Sequence, residues 1–210
     1  MKKVSERQLE RYPIYLKYLL SERESGVTII SSPTIANALS FSVEQVRKDL
    51  QVVTRSDGKP KLGRDINELI EDIKVFLNYN NLTKAAVFGV GHLGKALINY
   101  KGFNDFGLDI VCGFDVNPDL VGTQINERNI YSVYQLGNKI EELGIEIAIL
   151  ATPISSAQDV VDRLSNAGIK GIWNFVPIHL NVKNNIVVEN INLASSFAVL
   201  QHKLINKEDE

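Results

Sequence analysis

Three glycines and one acid form the most specific chemical pattern in the sequence. The stretch AAVFGVGHLGKAL leads from an apolar run into Gly89, Gly91 and Gly94, and Asp115 ends the next apolar run. In dinucleotide sites the first glycine permits a tight turn, the second admits the pyrophosphate, and the third lets helix and strand pack closely. Helix N-terminal amides hold the phosphates, and the acid accepts hydrogen bonds from the adenosine ribose. The spacing predicts a dinucleotide site.

The acid also predicts which dinucleotide binds. A carboxylate at Asp115 repels a 2′-phosphate, and the following Val116 and Asn117 supply no cation to offset that repulsion. NAD(H) is therefore favoured over NADP(H). The alternative is that the glycines serve packing alone and that Asp115 is a turn residue.

Residues suited to proton transfer are missing from the expected nicotinamide end. A dehydrogenase needs an acid or base beside the ring. His92 lies in the phosphate loop, His179 follows a strand and His202 lies in the last helix, so a structural role is favoured for each. No cysteine pair or His/Glu pattern suggests a metal. We therefore expect a sensor and not an enzyme.

Two strand ends would line the nicotinamide pocket. Thr152 and Pro153 end one apolar run, and Asn174 and Phe175 end another. From Lys84 onward such runs alternate with helical stretches, which indicates a parallel sheet covered on both faces. We predict a Rossmann-like α/β domain over residues 81–190 and a C-terminal helix with an acidic tail over 191–210.

The first 80 residues are predicted to be mainly helical. Ser32 is the expected N-cap of one short helix, and Ser42 with Gln45 predicts a capping box for the next. Arg47 and Lys48 fall on the outer face of this second helix. Capped helices joined by a tight turn are typical of a helix-turn-helix.

A turn after the second helix predicts a wing. Asp57 and Gly58 form the turn signal, with Lys59 and Lys61 at its tip. The expected fold is thus an α+β winged helix followed by the α/β domain. A small helical dimerisation domain with a charged surface is the alternative for this region.

The composition gives some information about the cellular location of the protein but does not indicate its binding partner. The net charge of -2 neither requires nor excludes nucleic acid, so DNA contacts must come from local clusters. A single cysteine, Cys112, rules out an intrachain disulfide. The absence of a long apolar run favours a cytoplasmic protein without a membrane segment.

The chain resembles the Rex family of redox-sensing transcriptional repressors. The segments that carry the resemblance are RYPIYLKYL, SSPTIANAL, VRKDL, GVGHLGKALINYKGF, GFDVNP, ILATP and AGIKGIWNFVP, in the family's order and spacing. The resemblance implies a homodimer with an exchanged C-terminal helix. It also implies binding to an inverted-repeat operator in double-stranded DNA and release by NADH, with NADH and NAD+ as the sensed ligands.

The resemblance also assigns residues by position. Arg47 and Lys48 would enter the major groove, and Lys59 and Lys61 would approach the minor groove or phosphates. Ser32, Ser42 and Gln45 complete the predicted DNA surface. The expected cofactor residues are Gly89, Gly91, His92, Leu93, Gly94, Tyr100, Asp115, Val116, Thr152, Pro153, Asn174 and Phe175. Arg11, Asn192 and Leu193 would form a dimer switch.

The sequence departs from the family pattern at three places. QVVT follows the recognition helix where many relatives have Ser-Tyr-Phe-Gly, and Arg64 replaces the wing's tyrosine. Asn192 stands where relatives have an aspartate that pairs across the dimer with a basic residue, by position Arg11. His92 replaces Arg or Asn. Two other functions stay open, a nucleotide-binding regulator without operator binding and a small NAD-dependent oxidoreductase.

Overall fold

The N-terminal unit of the computed structural model is built from helices and one short strand pair. The structure describes residues 4–55, 63–183 and 185–207. The chain divides into two compact units, one ending at Asn81 and the other beginning at Leu82. The helices of the first unit are α1 (Glu6–Leu9), α2 (Arg11–Glu24), α3 (Ser32–Leu39), α4 (Val43–Val53) and α5 (Ile66–Phe76).

Apolar positions at helical spacing bring these helices together. Leu16 and Leu19 of α2, Val46 and Leu50 of α4, and Ile73 of α5 are all fully buried in one cluster. Burying a side chain of this size contributes about 1.5–3 kcal/mol. The predicted helix-turn-helix is confirmed as α3 and α4, joined through Ser40, which has a left-handed backbone (φ 56°).

Two local predictions need correction. The N-cap of α3 is Ser31, whose side chain accepts a hydrogen bond from the Thr34 amide, so Ser32 lies inside the helix. At α4 the Ser42 hydroxyl does accept from the Gln45 amide, at 3.1 Å. The Gln45 side chain does not complete the capping box, because its amide lies against Arg11.

The structure describes only part of the predicted wing. Strand β2 (Arg64–Asp65) pairs antiparallel with β1 (Ile29–Ile30), the segment before α3. Lys59 and Lys61 lie outside the described residues, so the tip of the predicted wing stays a prediction.

The second unit is a seven-stranded sheet. Its strands are β3 (Thr83–Phe88), β4 (Leu108–Asp115), β5 (Gln124–Ile125), β6 (Arg128–Ser132), β7 (Ile147–Leu150), β8 (Gly171–Asn174) and β9 (Val187–Asn190). They are arranged in the order β5-β6-β4-β3-β7-β8-β9. Six strands from β6 to β9 are parallel, and only the short β5 is antiparallel.

This order is the doubly wound arrangement of dinucleotide-binding sheets. Numbered by position along the chain, the parallel strands run third, second, first, fourth, fifth and sixth. The order reverses between β3 and β7, and ligands bind at such a switch point, beyond the carboxyl ends of the strands. The predicted fold class is therefore confirmed. Strand β6 was not predictable from the sequence, because its short segment RNIYS mixes polar and apolar residues.

Helices cover the sheet and end the chain. They are α6 (His92–Asn99), α7 (Leu136–Leu143), α8 (Ile154–Asn166) and α9 (Leu193–Lys207), with 3-10 turns at Lys101–Phe106 and Val133–Gln135. Among the described residues no helix is both long and apolar enough to cross a membrane.

Candidate nucleotide site and DNA-binding surface

The glycine loop lies at the carboxyl end of β3, at the switch point of the sheet. Gly89 has φ +90°, and a Cβ there would come within 2.6 Å of the Ala151 carbonyl oxygen. A Cβ on Gly94 would overlap the Gly89 carbonyl oxygen, whereas one on Gly91 would meet nothing within 4 Å. The first and third glycines are thus required by the backbone itself, and the second leaves room for a ligand.

Helix α6 offers an anion site beside that space. Gly91 is its N-cap, and no side chain caps the helix. The first amides of a helix have no partner within it, and together with the helix dipole they favour a phosphate. His92 and Leu93 occupy the first two positions of α6 and are both exposed. Their predicted contact with the dinucleotide stays a prediction.

Asp115 is anchored to the loop by backbone amides. Its Oδ2 accepts a hydrogen bond from the Val90 amide at 2.6 Å, and its Oδ1 accepts one from the Asn117 amide at 2.8 Å. A carboxylate has about four acceptor positions, so each oxygen retains one. The side chain is therefore held in place and still suited to a ribose diol. The neighbouring Val116 is exposed.

The side-chain hydroxyl of Thr152 lies in this region. Its Oγ1 is buried and is without a hydrogen-bond partner among the described residues. The Thr152 amide nitrogen lies 2.8 Å from the position a Gly89 Cβ would take, so the segment after β7 directly borders the glycine loop. Buried polar groups are nearly always hydrogen-bonded, which makes this hydroxyl a natural contact for a ligand. Pro153 follows it and is exposed.

Four aromatic rings connect Tyr100 to the end of β8. Successive ring centroids from Tyr100 to Phe103, Trp173 and Phe175 lie 4.8, 5.7 and 5.1 Å apart. Tyr100 is 55% exposed, and its ring lies against Gly102, where a Cβ would come within 2.7 Å of it. Phe103 was missed by the sequence analysis, since nothing in its spacing marks it.

Asn174 has a structural role that the sequence did not indicate. Its side-chain amide donates to the Ile178 carbonyl and to Asn190 Oδ1, while its Oδ1 accepts from the Val176 amide. Both N–H donors are used inside the chain, so Asn174 holds the segment after β8. Its predicted contact with the nicotinamide stays a prediction, limited to the remaining acceptor position.

The candidate DNA-binding surface is the outer face of α4. Arg47 and Lys48 are exposed, while Val46, Asp49 and Leu50 are buried. The helix therefore separates a basic face from a core face as predicted. Ser42 is exposed at its N-terminus, where recognition helices contact base edges.

A buried ion pair fastens α4 to α2. Arg11 donates from Nε to Asp49 Oδ2 at 2.6 Å and from Nη2 to Asp49 Oδ1 at 2.8 Å. The Tyr15 hydroxyl donates to Asp49 Oδ2, and the Tyr12 hydroxyl donates to the Asp49 carbonyl. Hydrogen bonding to Asp49 raises the pKa of Arg11, and burial raises the pKa of Tyr12 to about 12. The role of Asp49 could not be predicted from the sequence, because a charged residue at this position is expected on the solvent-exposed face of the helix.

Two residues of the predicted dimer switch, Arg11 and Asn192, have partners within the chain. Arg11 pairs with Asp49, as described above. Asn192 Oδ1 accepts a hydrogen bond from the Ser195 amide at 3.0 Å and so caps α9. Leu193, the first residue of α9, is 72% exposed. The pairing of Arg11 with Asn192 across a dimer stays a prediction.

The arrangement defines a class of protein: a helix-turn-helix unit joined to a doubly wound nucleotide-binding unit. Two family models match, "CoA binding domain" over residues 80–178 and "Putative DNA-binding protein N-terminus" over residues 3–51. The redox-sensing transcriptional repressor Rex of Bacteroides fragilis is 38% identical over 99% of this chain and 94% of its own. That of Bacteroides thetaiotaomicron is 39% identical over 96% and 91%.

Solved structures of the same family match nearly the whole chain. RSP in complex with β-NAD+ and operator DNA is similar with a TM-score of 0.90 and 32% identity, over 99% of this chain and 95% of that one. RSP in complex with β-NADH has a TM-score of 0.87 at 31% identity, over 99% and 97%. The chain belongs to the Rex family of repressors, which confirms the predicted resemblance.

Proposed function

We propose that this protein is a redox-sensing transcriptional repressor that binds an inverted-repeat operator as a homodimer and is released by NADH. The main support is that one chain contains both an exposed basic helix, α4, and a glycine loop of the kind that binds dinucleotides. The relatives named as Rex repressors and the RSP complexes with operator DNA, NAD+ and NADH support it. As a regulator of operator DNA it acts in the cytoplasm.

The residues of the second unit divide the work of holding the dinucleotide. The amides at the start of α6 bind the pyrophosphate across the open side of Gly91, and Asp115 accepts from the ribose hydroxyls. Leu93 and Val116 present apolar surface to the adenine. Thr152 offers its unpartnered hydroxyl to the nicotinamide end, near Pro153 and Phe175. These assignments extend the sequence predictions, and the open Gly91 cradle and the anchored Asp115 support them.

NAD+ and NADH differ in the shape and charge of the nicotinamide ring, since the oxidised ring is a planar cation and the reduced ring is neutral and puckered. A ligand shifts a conformational equilibrium only by its difference in affinity for the two states. Tyr100 is the residue suited to respond, because it is exposed and adjoins the aromatic row that ends at Phe175. We assign none of the described residues at that end to proton transfer, and we propose binding without catalysis.

Helix α9 is suited to dimerisation. Its exposed apolar side chains recur on one side at Leu193, Phe197, Leu200 and Leu204, each more than half exposed. Such a stripe at helical spacing buries itself against another surface. We assign residues 1–80 to DNA binding, 81–190 to nucleotide binding and 191–210 to exchange between partners. A palindrome requires two recognition helices at a fixed separation, so rearrangement of the dimer costs operator affinity.

Retention of fragmented host DNA on the immobilised protein tests this function. The DNA is applied at low salt without ligand, with NAD+ and with NADH, because phosphate contacts weaken steeply as salt rises. We expect a palindromic fragment to be retained and NADH alone to release it. Binding of NADH without retention of any specific fragment would instead support a regulator that acts through protein partners. Steady oxidation of NADH with a carbonyl compound would support an oxidoreductase.

A further inference from the structure

The Arg11 guanidinium connects a buried ion pair to a side chain of the candidate DNA-binding surface. The ion pair with Asp49 fixes it, since their side chains are only 17% and 3% exposed. Nη1 also donates to the Arg7 carbonyl at 2.8 Å. A bidentate pair with a further backbone contact leaves a guanidinium little freedom to rotate.

Gln45 lies against this fixed guanidinium. With the amide oriented so that its atoms meet complementary partners, Gln45 Oε1 accepts from Arg11 Nε and Nη1, each at 3.1 Å. Nε shares its one hydrogen with Asp49 Oδ2, whereas Nη1 has a second hydrogen besides the one donated to Arg7, so the amide oxygen is held facing the guanidinium. The Nε2 group, with its N–H donors, is the polar part that remains for another molecule. Gln45 is partly exposed in the first turn of α4.

We propose that Arg11 makes Gln45 a donor-only contact to DNA, so that it recognises a carbonyl or phosphate oxygen and not the paired N6 and N7 atoms of adenine. Adenine recognition by glutamine needs the amide oxygen and nitrogen together, against N6 and N7. Here the oxygen faces Arg11, so Gln45 donates to guanine O6, thymine O4 or a backbone phosphate. Adenine presents an amino donor, N6, where guanine presents O6. Arg11 and Asp49 are positioning residues in this assignment, which rests on the proposed operator binding.

The half-formed capping box supports the assignment. A glutamine at this position of a helix ordinarily returns to the N-cap amide. Gln45 instead extends to Arg11, although the Ser42 half of the box is present. The side chain is thus held away from the local alternative that its sequence position favours.

Selection of binding sites from a randomised palindromic library tests the proposal, using the full-length protein without ligand. The variants are Gln45→Glu, Gln45→Met, Arg11→Lys and the double variant Arg11→Lys/Gln45→Met. Arg23→Lys is the matched control, since Arg23 is an exposed arginine of the same helix as Arg11. Thermal unfolding is followed for each. Gln45→Glu gains an ion pair with Arg11, so it folds at least as stably as wild type.

For a base contact, we expect wild type to select guanine or thymine at one symmetric position. Gln45→Glu binds that operator at least about tenfold more weakly and selects a base that presents an amino group, such as cytosine. Arg11→Lys frees the amide and admits adenine there. Once Gln45 is Met, Arg11→Lys has no further effect on base preference.

For a phosphate contact, Gln45→Met lowers affinity equally for all sequences, and replacing one phosphate by methylphosphonate removes the difference from wild type. Selection of adenine at the Gln45-dependent position by wild type would overturn the proposal. So would unchanged operator binding by Gln45→Glu, or an Arg11→Lys variant that changes neither preference nor affinity. If wild type selects no sequence at all, the proposed function itself fails, and the result is distinguishable from these.

Discussion

Asp49 and Asp115 lie in different units and show opposite uses of a carboxylate. Asp49 is buried and receives Arg11 through both oxygens, with Tyr15 as a further donor. Asp115 is held by two backbone amides and keeps acceptor positions free. The first carboxylate is consumed in fixing a helix, and the second is oriented for a ligand. Asp49 therefore positions a helix, whereas Asp115 is available to bind a ligand. Substitution of Asp49 should lower stability, and substitution of Asp115 should lower nucleotide affinity.

The largest expected effect is on folding, at Asp49. Asp49→Ala leaves the Arg11 guanidinium without its charge partner, which typically costs about 3–5 kcal/mol for a buried pair. We expect the first unit to unfold at a lower temperature while the second retains its NADH affinity. Calorimetry and NADH titration of the same preparation measure both.

Arg55→Ala is the matched control for this variant. Arg55 pairs with Asp72, but its side chain is 70% exposed, so its loss should cost less than about 1 kcal/mol. Equal destabilisation by the two variants would show that burial does not increase the contribution of the Arg11–Asp49 pair to stability.

The next effect is on nucleotide affinity, at Asp115. Asp115→Ala removes the acceptor for the ribose and the anchor of the Val90 amide. Hydrogen bonds to charged groups contribute about 1.5–3 kcal/mol, so NADH affinity should fall by one to two orders of magnitude, roughly. Titration calorimetry measures it, and operator binding without ligand should be unchanged.

Asp109→Ala serves as control at the opposite end of the same strand. Asp109 accepts from Arg128 at 3.0 Å, and we expect its removal to leave NADH affinity near wild type. An Asp115→Ala variant that lost DNA binding before NADH binding would contradict the assigned division between the units.

A smaller effect is expected for Arg47→Ala, which removes an exposed cation of α4. A base contact of this kind contributes about 1–3 kcal/mol. Operator affinity should fall by that amount in each half-site, while NADH affinity and thermal stability remain unchanged. Fluorescence anisotropy with the selected operator measures the loss, and Arg23→Ala is the control. Retained operator affinity would remove α4 from the role of recognition helix.

The smallest effect concerns Cys112, a buried residue of β4. Burial raises the pKa of its thiol to about 12, so the reactive thiolate is scarce at neutral pH. A thiol that is harder to ionise when folded contributes stability below its unfolded pKa, and this is lost as pH rises toward 12. Iodoacetamide should label Cys112 only after urea unfolding. Rapid labelling of the native protein would show that this core opens readily.

Local signals in the sequence determine much of what is observed. The glycine loop, Asp115 and the helix-turn-helix were predictable from the sequence. Turns, helix caps and strand ends each require particular residue types, and these residues are close together in the sequence. The apolar runs likewise predicted five strands that lie in continuous hydrophobic segments, namely β3, β4, β7, β8 and β9.

The remaining features depend on partners distant in the chain. The Arg11–Asp49 pair joins residues 38 positions apart, so no local pattern marks it. The β2 strand pairs with β1 across α3 and α4, and Asn174 is bonded to Asn190 of a neighbouring strand. The contact of Gln45 with Arg11 displaces a capping box that the sequence alone favours. Tertiary contacts decide such cases against local preference.

The proposed function requires that nucleotide binding and operator binding are coupled, and titration of each ligand in the presence of the other measures that coupling. By linkage, the factor by which NADH weakens operator binding equals the factor by which operator weakens NADH binding. We predict that saturating operator lowers the affinity for NADH by that factor and lowers the affinity for NAD+ much less. Identical NADH affinities with and without operator would contradict the account.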